Sequence, residues 1–63
     1  MKYYTLQYVN DYGDTVARDY FDNKKEATEF MNRLIDTYKR EGADTGLILD
    51  DSDGNLIAEY YTD

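Results

Sequence analysis

Aromatic and aliphatic side chains alternate with polar ones at the start of the chain, over residues 2–9. This spacing predicts a strand, because successive side chains of a strand point to opposite faces. Turn-forming residues follow at 10–14, among them Gly13, which can take a positive φ. The chain then returns over 15–21 as a second strand. The two strands are predicted to form a hairpin.

Over residues 23–41 the apolar spacing changes to three and four, which is typical of an amphipathic helix. The residues on this apolar stripe are Ala27, Phe30, Met31, Leu34, Ile35 and Tyr38. Asp22 or Asn23 can cap the first turn, and Gly42 stands where a left-handed residue ends many helices. Both ends of the predicted helix therefore carry terminating signals.

A second hairpin is indicated by Asp53 and Gly54, a dipeptide favoured in two-residue β turns. It joins predicted strands over 45–51 and 55–62. The register that this turn implies places one set of side chains on a shared apolar face, namely Leu47, Leu49, Leu56, Ala58 and Tyr60. The opposite face of this hairpin is predicted to be mixed and exposed to water.

Two positions of the predicted sheet raise questions of local packing. Tyr61 stands opposite Gly46 in the second hairpin, where an aromatic ring can cover the glycine. In the first hairpin, either Arg18 or Asp19 must face the helix beside Leu6. Because an unpaired buried charge is costly, we expect a bulge, or an edge position from which Arg18 reaches solvent.

Two hairpins joined by one helix give the order β-β-α-β-β and predict an α+β fold, a two-layer sandwich in which one helix packs on one face of a four-stranded sheet. Residues 1–63 are expected to form a single domain. Helix geometry makes the third strand parallel to the second. If the first and fourth strands meet, the order is 2-1-4-3 and the architecture resembles the immunoglobulin-binding domains of streptococcal protein G. The antiparallel orders 2-1-3-4 and 1-2-4-3 stay open. The expected core contains Phe30, Leu34, Leu6, Leu47, Leu49 and Leu56.

The chain contains no Cys, His, Trp or Pro. Without Cys and His, most nucleophile–base pairs and nearly every zinc or iron site are excluded, so we expect no enzyme, cofactor or metal. The run from Asp50 to Gly54 matches part of an EF-hand loop, but Leu49 and Tyr60 stand where that loop needs its first and last carboxylates. No apolar run is longer than four residues, which argues against a membrane-spanning helix or signal-peptide core and favours the cytoplasm.

Fourteen acidic residues oppose seven basic ones, for a formal net charge of −7. The predicted helix holds five basic and four acidic residues, so the rest of the chain carries −8. Seven of the eight Tyr also lie outside the helix. Such a chain repels nucleic acids and anionic membranes. We therefore expect a basic protein surface as the partner, with no direct binding to nucleic acid or membrane.

Chain direction predicts which acidic residues share an end of the molecule. Because the third strand runs parallel to the second, Asp22 and the acids of the second hairpin turn should gather at one end, and Asp11, Asp14 and Asp44 at the other. The first group and the open sheet face supply the candidate partner-binding residues, which are Asp22, Asp50, Asp51, Asp53, Glu59, Tyr61 and Tyr3.

In size, acidity, tyrosine content and lack of catalytic pairs, the chain resembles the small phage-encoded inhibitors of bacterial defence and transcription, including anti-CRISPR and DNA-mimic proteins. The resemblance implies an inhibitor whose carboxylates stand where phosphates would stand, on a nuclease, a CRISPR effector or another nucleic-acid-binding protein in the host cytoplasm. The alternative hypothesis is an adaptor or assembly module that pairs through a sheet edge or the open sheet face, with homodimerisation left open.

Overall fold

The computed structural model describes residues 2–61. The elements follow the predicted order and are β1 (Tyr4–Val9), β2 (Thr15–Phe21), α1 (Lys24–Glu41), β3 (Gly46–Asp51) and β4 (Leu56–Tyr60). The four strands form one sheet and the helix packs on one of its faces, which confirms the α+β sandwich. Thr62, where the last strand was expected to end, lies outside the described residues.

Helix α1 is flanked by two residues that favour the capping positions, Asn23 before it and Gly42 after it. Asn23 has extended backbone angles (φ −132, ψ 126), and its Oδ1 accepts a hydrogen bond from the Lys25 amide at 2.8 Å. At the other end, Gly42 adopts the left-handed region with φ 69 and donates its amide to the Tyr38 carbonyl at 2.8 Å. The caps satisfy backbone groups that the helix leaves unpaired, and the N-cap is Asn23 rather than the preceding residue.

The strand order is β2-β1-β3-β4, with every neighbouring pair antiparallel. Of the three orders that the sequence left open, 2-1-3-4 is observed, so the first and fourth strands do not meet and there is no parallel central pair among the described strands. The helix directs β3 parallel to β2, as predicted, so β3 is antiparallel to β1 and pairs with it from Tyr4 and Asp51 to Val9 and Gly46. An antiparallel central pair is slightly more stable per residue than a parallel one.

The core lies between α1 and the central strands. Leu6 of β1 and the two leucines Leu47 and Leu49 of β3 are fully buried, and they contact Ala27 and Met31 of the helix. Partly buried side chains surround this centre, including Tyr4, Tyr8, Phe21, Phe30, Leu34, Ile35, Tyr38, Ile57, Ala58 and Tyr60. The helix packs over β1, β2 and β3. All the predicted core residues except one therefore lie in or against the core.

The exception is Leu56, which is 55% exposed. A bulge in β4 pairs Leu49 with Ala58 as predicted, but pairs Asp50 with Leu56 instead of Ile57. Leu56 therefore shares the face of Asp50, away from the helix, and Ile57 packs against the core. One extra residue in a strand reverses the facing of every side chain beyond it.

The bulge follows from the length of the turn. The Asp51 amide donates to the Asn55 carbonyl at 3.0 Å, and the Gly54 amide donates to the Asp51 carbonyl at 3.1 Å. Gly54 has φ 85. These contacts define a three-residue loop, with a turn followed by a left-handed glycine, rather than the predicted two-residue loop.

The first hairpin also contains a bulge, which was one of the two alternatives expected there. Tyr8 pairs with Ala17 and Val9 pairs with Thr15, so Val16 has no partner in the ladder. The charged residue on the helix side is Asp19, which pairs with Leu6. Asp19 lies on an edge strand and is exposed, so its charge stays hydrated.

Candidate functional site

The sheet face opposite α1 carries several large exposed side chains. Tyr3, Tyr20 and Tyr61 are 47%, 66% and 55% exposed, and Leu56 on the same face is also exposed. Within residues 2–61 no helix or loop packs over this face, which we call the open face. Exposed aromatic rings grouped on one surface are typical of a binding surface.

Hydrogen bonds across the strands hold the centre of the open face. The Gln7 side chain donates from Nε2 to Asp50 Oδ2 at 2.9 Å and accepts at Oε1 from Thr15 Oγ1 at 3.1 Å. This chain of contacts links β2, β1 and β3. Beside it, the rings of Tyr3 and Tyr20 pack edge to face, with their centroids 6.4 Å apart. The middle of the face is therefore an ordered surface of amides, hydroxyls and rings.

The end of the sheet that holds the second hairpin turn is the turn end. The carboxyl ends of β2 and β3 both lie there, which brings together Asp22, Asp50, Asp51 and Asp53, as predicted. Lys2 reaches Asp53 at 3.7 Å, and both side chains are exposed. The helix also begins at this end, so the positive side chains of its first residues, Lys24 and Lys25, lie at the same end as these acidic residues.

Asp51 is a structural carboxylate as well as a charge. Its Oδ1 accepts hydrogen bonds from the amides of Asp53 and Asn55, both at 2.9 Å. The hydrogen bonds from Asn55 are the main cause that holds the pKa of the Asp51 carboxyl below its usual value, with the amide of Asp53 and the charge of Lys2 adding to the effect. Asp51 therefore stays negative while it closes the turn.

The remaining predicted site residues are spread over the open face. Glu59 is the next-to-last residue of the edge strand β4, opposite Ile48. Tyr61 lies beside Gly46, the first residue of β3, whereas Asp51 is the last. The structure therefore separates Tyr61 from the acids of the turn end, with which the sequence argument grouped it.

Tyr61 borders a groove at the opposite end of the open face, which we call the Tyr61 groove. The groove has a volume of about 380 Å³ and is lined by Tyr61, Asp11 and Asp44, with the buried residues Val9 and Gly46 beneath. Sequence reasoning predicted the contact of Tyr61 with Gly46 but missed the groove. The pairing itself could have located it: Gly46 is the first residue of β3, so its partner Tyr61 must lie at the start of β3, away from the turn end.

On the helix side of the sheet, Tyr8 donates its hydroxyl to Asp19 Oδ2 at 2.6 Å. Burial raises the pKa of the Tyr8 phenol, and the hydrogen bond and charge of Asp19 raise it further. Burial also raises the pKa of Tyr38, with a smaller effect from Glu41. Both phenols therefore stay neutral and act as packing groups with a polar tip.

The described carboxylates do not converge on a common point. Across residues 2–61, no three acidic side chains are close enough together to ligate a metal ion. The same part of the chain has no helix with the length and apolar character needed to cross a bilayer. What the surface offers is contact area from tyrosine rings and negative charge at its ends.

Comparisons of the chain with protein-family models, with curated proteins and with solved structures found no match.

Proposed function

We propose that this protein is a small acidic inhibitor that acts in the cytoplasm and uses its open face to cover a basic surface of another protein, without catalysing a reaction. The observation that supports the proposal is the open face itself, where exposed Tyr3, Tyr20 and Tyr61 are bordered by carboxylates at both ends. Tyrosine gives rigid contact area with a hydrogen-bonding tip, which suits a protein–protein interface.

Charge supports a basic partner. The chain outside the helix carries −8, so its field attracts surfaces rich in Lys and Arg and raises the rate of encounter with them. A surface that binds nucleic acid is arranged to hold negative charge. An acidic protein on that surface would exclude the nucleic acid, and a nuclease or another nucleic-acid-binding protein is the partner class that the proposal names.

Charge reversal on the open face tests the proposal. We expect the double variant Asp50→Lys with Asp53→Lys to lose capture of basic proteins from bacterial lysate at low salt, measured by pull-down and mass spectrometry. The matched control is Glu29→Lys with Asp36→Lys, which changes the charge equally on the exposed side of the helix. Circular dichroism of each variant checks that the fold is retained.

The two outcomes are distinct. If the helix variant loses capture as completely as the open-face variant, binding depends on net charge and the open face has no special role. If neither variant loses capture, the acidic residues serve the turns alone and the inhibitor proposal fails.

A second candidate function is an adaptor that pairs through the β4 edge, and one observation favours it. Both edge strands contain a bulge, but β2 also carries Arg18 and Asp19, and an inward-facing charge such as Asp19 on the helix side discourages strand addition. Strand β4, residues Leu56–Tyr60, carries only Glu59 as a charge. Pairing of two copies at β4 would persist at high salt, whereas the inhibitor interface would weaken, so sedimentation at low and high salt separates the two functions.

A further inference from the structure

We propose that the Tyr61 groove receives an arginine side chain of the basic partner. The inference rests on the proposed function, and it specifies where on the open face the partner binds and which type of partner side chain is bound. It places a second contact, beyond the acids of the turn end, at the opposite end of the open face, which the sequence analysis did not choose as the partner-binding end.

The ring of Tyr61 packs over the backbone of Gly46, where no side chain takes up the space. A Cβ atom at position 46 would lie 3.0 Å from Cδ1 and 3.2 Å from Cε1 of Tyr61, which is tighter than most carbon contacts, so the ring would have to shift by a few tenths of an ångström. The glycine therefore lets the ring rest against the sheet beside Val9, while the ring remains 55% exposed. A flat aromatic surface fixed at the side of a groove is a platform on which a guanidinium can stack.

The charges around the groove select a cation. Asp11 and Asp44 both line it, and among its described lining residues there is no Lys or Arg. The depression at the turn end of the same face differs, because Arg18 lines it together with Asp50 and Asp51. A cationic side chain is therefore attracted more strongly by the Tyr61 groove.

Arginine fits this combination better than lysine. A guanidinium is planar, so it can stack on the ring of Tyr61 while its edge donates hydrogen bonds to a carboxylate. A lysine ammonium is a compact, strongly hydrated charge that gains less from the ring. The occupant is thus an arginine presented by a basic protein segment.

The test is a titration of the isotope-labelled protein with an octa-arginine peptide at low salt, followed by amide chemical shifts. We expect the largest changes at Asp44, Gly46 and Tyr61. An octa-lysine peptide should bind more weakly, by a factor of about five if stacking on the ring accounts for the difference.

Two variants of the full chain separate the ring from the charge. Gly46→Ala displaces the ring without changing any charge, and Asp44→Asn removes one charge and leaves the ring; each should weaken octa-arginine binding several-fold. The matched controls are Tyr12→Ala, which removes an 89% exposed tyrosine that does not line the groove, and Asp36→Asn on the helix. If Gly46→Ala disturbs the strand, Tyr61→Ala tests the ring with Gly46 intact.

The outcomes distinguish the inference from the function on which it rests. If octa-arginine binds but shifts only residues of the turn end, or binds Gly46→Ala and Tyr61→Ala as tightly as the parent, the groove inference is overturned and the acidic inhibitor stands. If octa-arginine does not bind at low salt, both are overturned.

Discussion

Two residues of different type perform the same task in the two hairpin turns. Asn10 Oδ1 accepts hydrogen bonds from the amides of Tyr12 and Asp14, both at 3.0 Å. Asp51 does the same for the amides two and four positions further on. Each turn then closes on a glycine with positive φ, Gly13 at 83 and its counterpart at 85. In both loops, therefore, a short side chain with an acceptor oxygen at the first position of the turn fixes the loop conformation.

A substitution at Asn10 tests this role. Asn10→Ala removes both acceptor contacts and should lower the free energy of unfolding by about 1–2 kcal/mol. Asn10→Asp places at this turn the residue type that the other turn uses, so it should retain most of the parent stability. Urea denaturation measures both. A fully stable Asn10→Ala variant would show that the glycine alone is sufficient for the turn.

The carboxyl of Asp51 makes the fold sensitive to acid. Its pKa is lowered in the folded state, so the folded protein binds this proton less tightly than the unfolded chain does. Its contribution to stability is therefore present above the ordinary pKa of Asp, about 3.9, and is lost as the pH falls through the lowered value. Asp51→Asn keeps an acceptor oxygen without a proton to bind. We expect the variant to lose less stability than the parent between about pH 5 and about pH 2, measured by thermal melts. Equal losses would contradict this role of Asp51.

At the scale of the element, the bulge in β4 decides which leucines stabilise the fold. Leu49 is fully buried, so Leu49→Ala should lower stability by about 2–5 kcal/mol. Leu56 is 55% exposed, and Leu56→Ala should change stability by less than about 0.5 kcal/mol. Chemical denaturation of the two variants compares them directly. A large loss for Leu56→Ala would mean that the two-residue turn and its register exist in solution.

Elements with local signals could be predicted from the sequence, and the join between the hairpins could not. The helix is bounded by Asn23 and Gly42, whose effects act within a few residues. The pairing of Leu6 with Leu49 depends on residues far apart in the chain, and sequence patterns do not report such pairings. The Asp53-Gly54 dipeptide suits loops of two or three residues, so the register beyond it was not determined locally.

The candidate site could be predicted in part for the same reason. Strand direction was enough to gather Asp22 with the acids of the second turn. The contact of Tyr61 with Gly46 was also predicted, since it depends only on the register within one hairpin. Strand direction also predicted that Asp11 and Asp44 lie at the other end, but the groove that they line together depends on β1 lying beside β3, which the sequence left open.

At the scale of the whole molecule, the negative charge is unevenly divided between the helix and the rest of the chain. The helix is close to neutral, while the strands, turns and termini carry −8 in a chain of 63 residues. Within residues 2–61 one ion pair is formed, between Lys2 and Asp53, and both of its side chains are exposed. Such an exposed pair offsets little of the repulsion. The surface that supports the proposed function therefore works against the stability of the folded state.

This conflict predicts that salt stabilises the protein. Raising NaCl from about 10 mM to about 150 mM shortens the screening length from about 30 Å to about 8 Å, which weakens repulsion between the acids of the two turns. The melting temperature should rise over this range. The variant Asp11→Asn with Asp14→Asn removes two of these charges, so it should melt higher than the parent at low salt and respond less to NaCl. A melting temperature that falls as salt is added, or a variant whose response equals that of the parent, would show that favourable charge pairs outweigh the repulsion. The acidic surface would then be a stabilising feature of the fold.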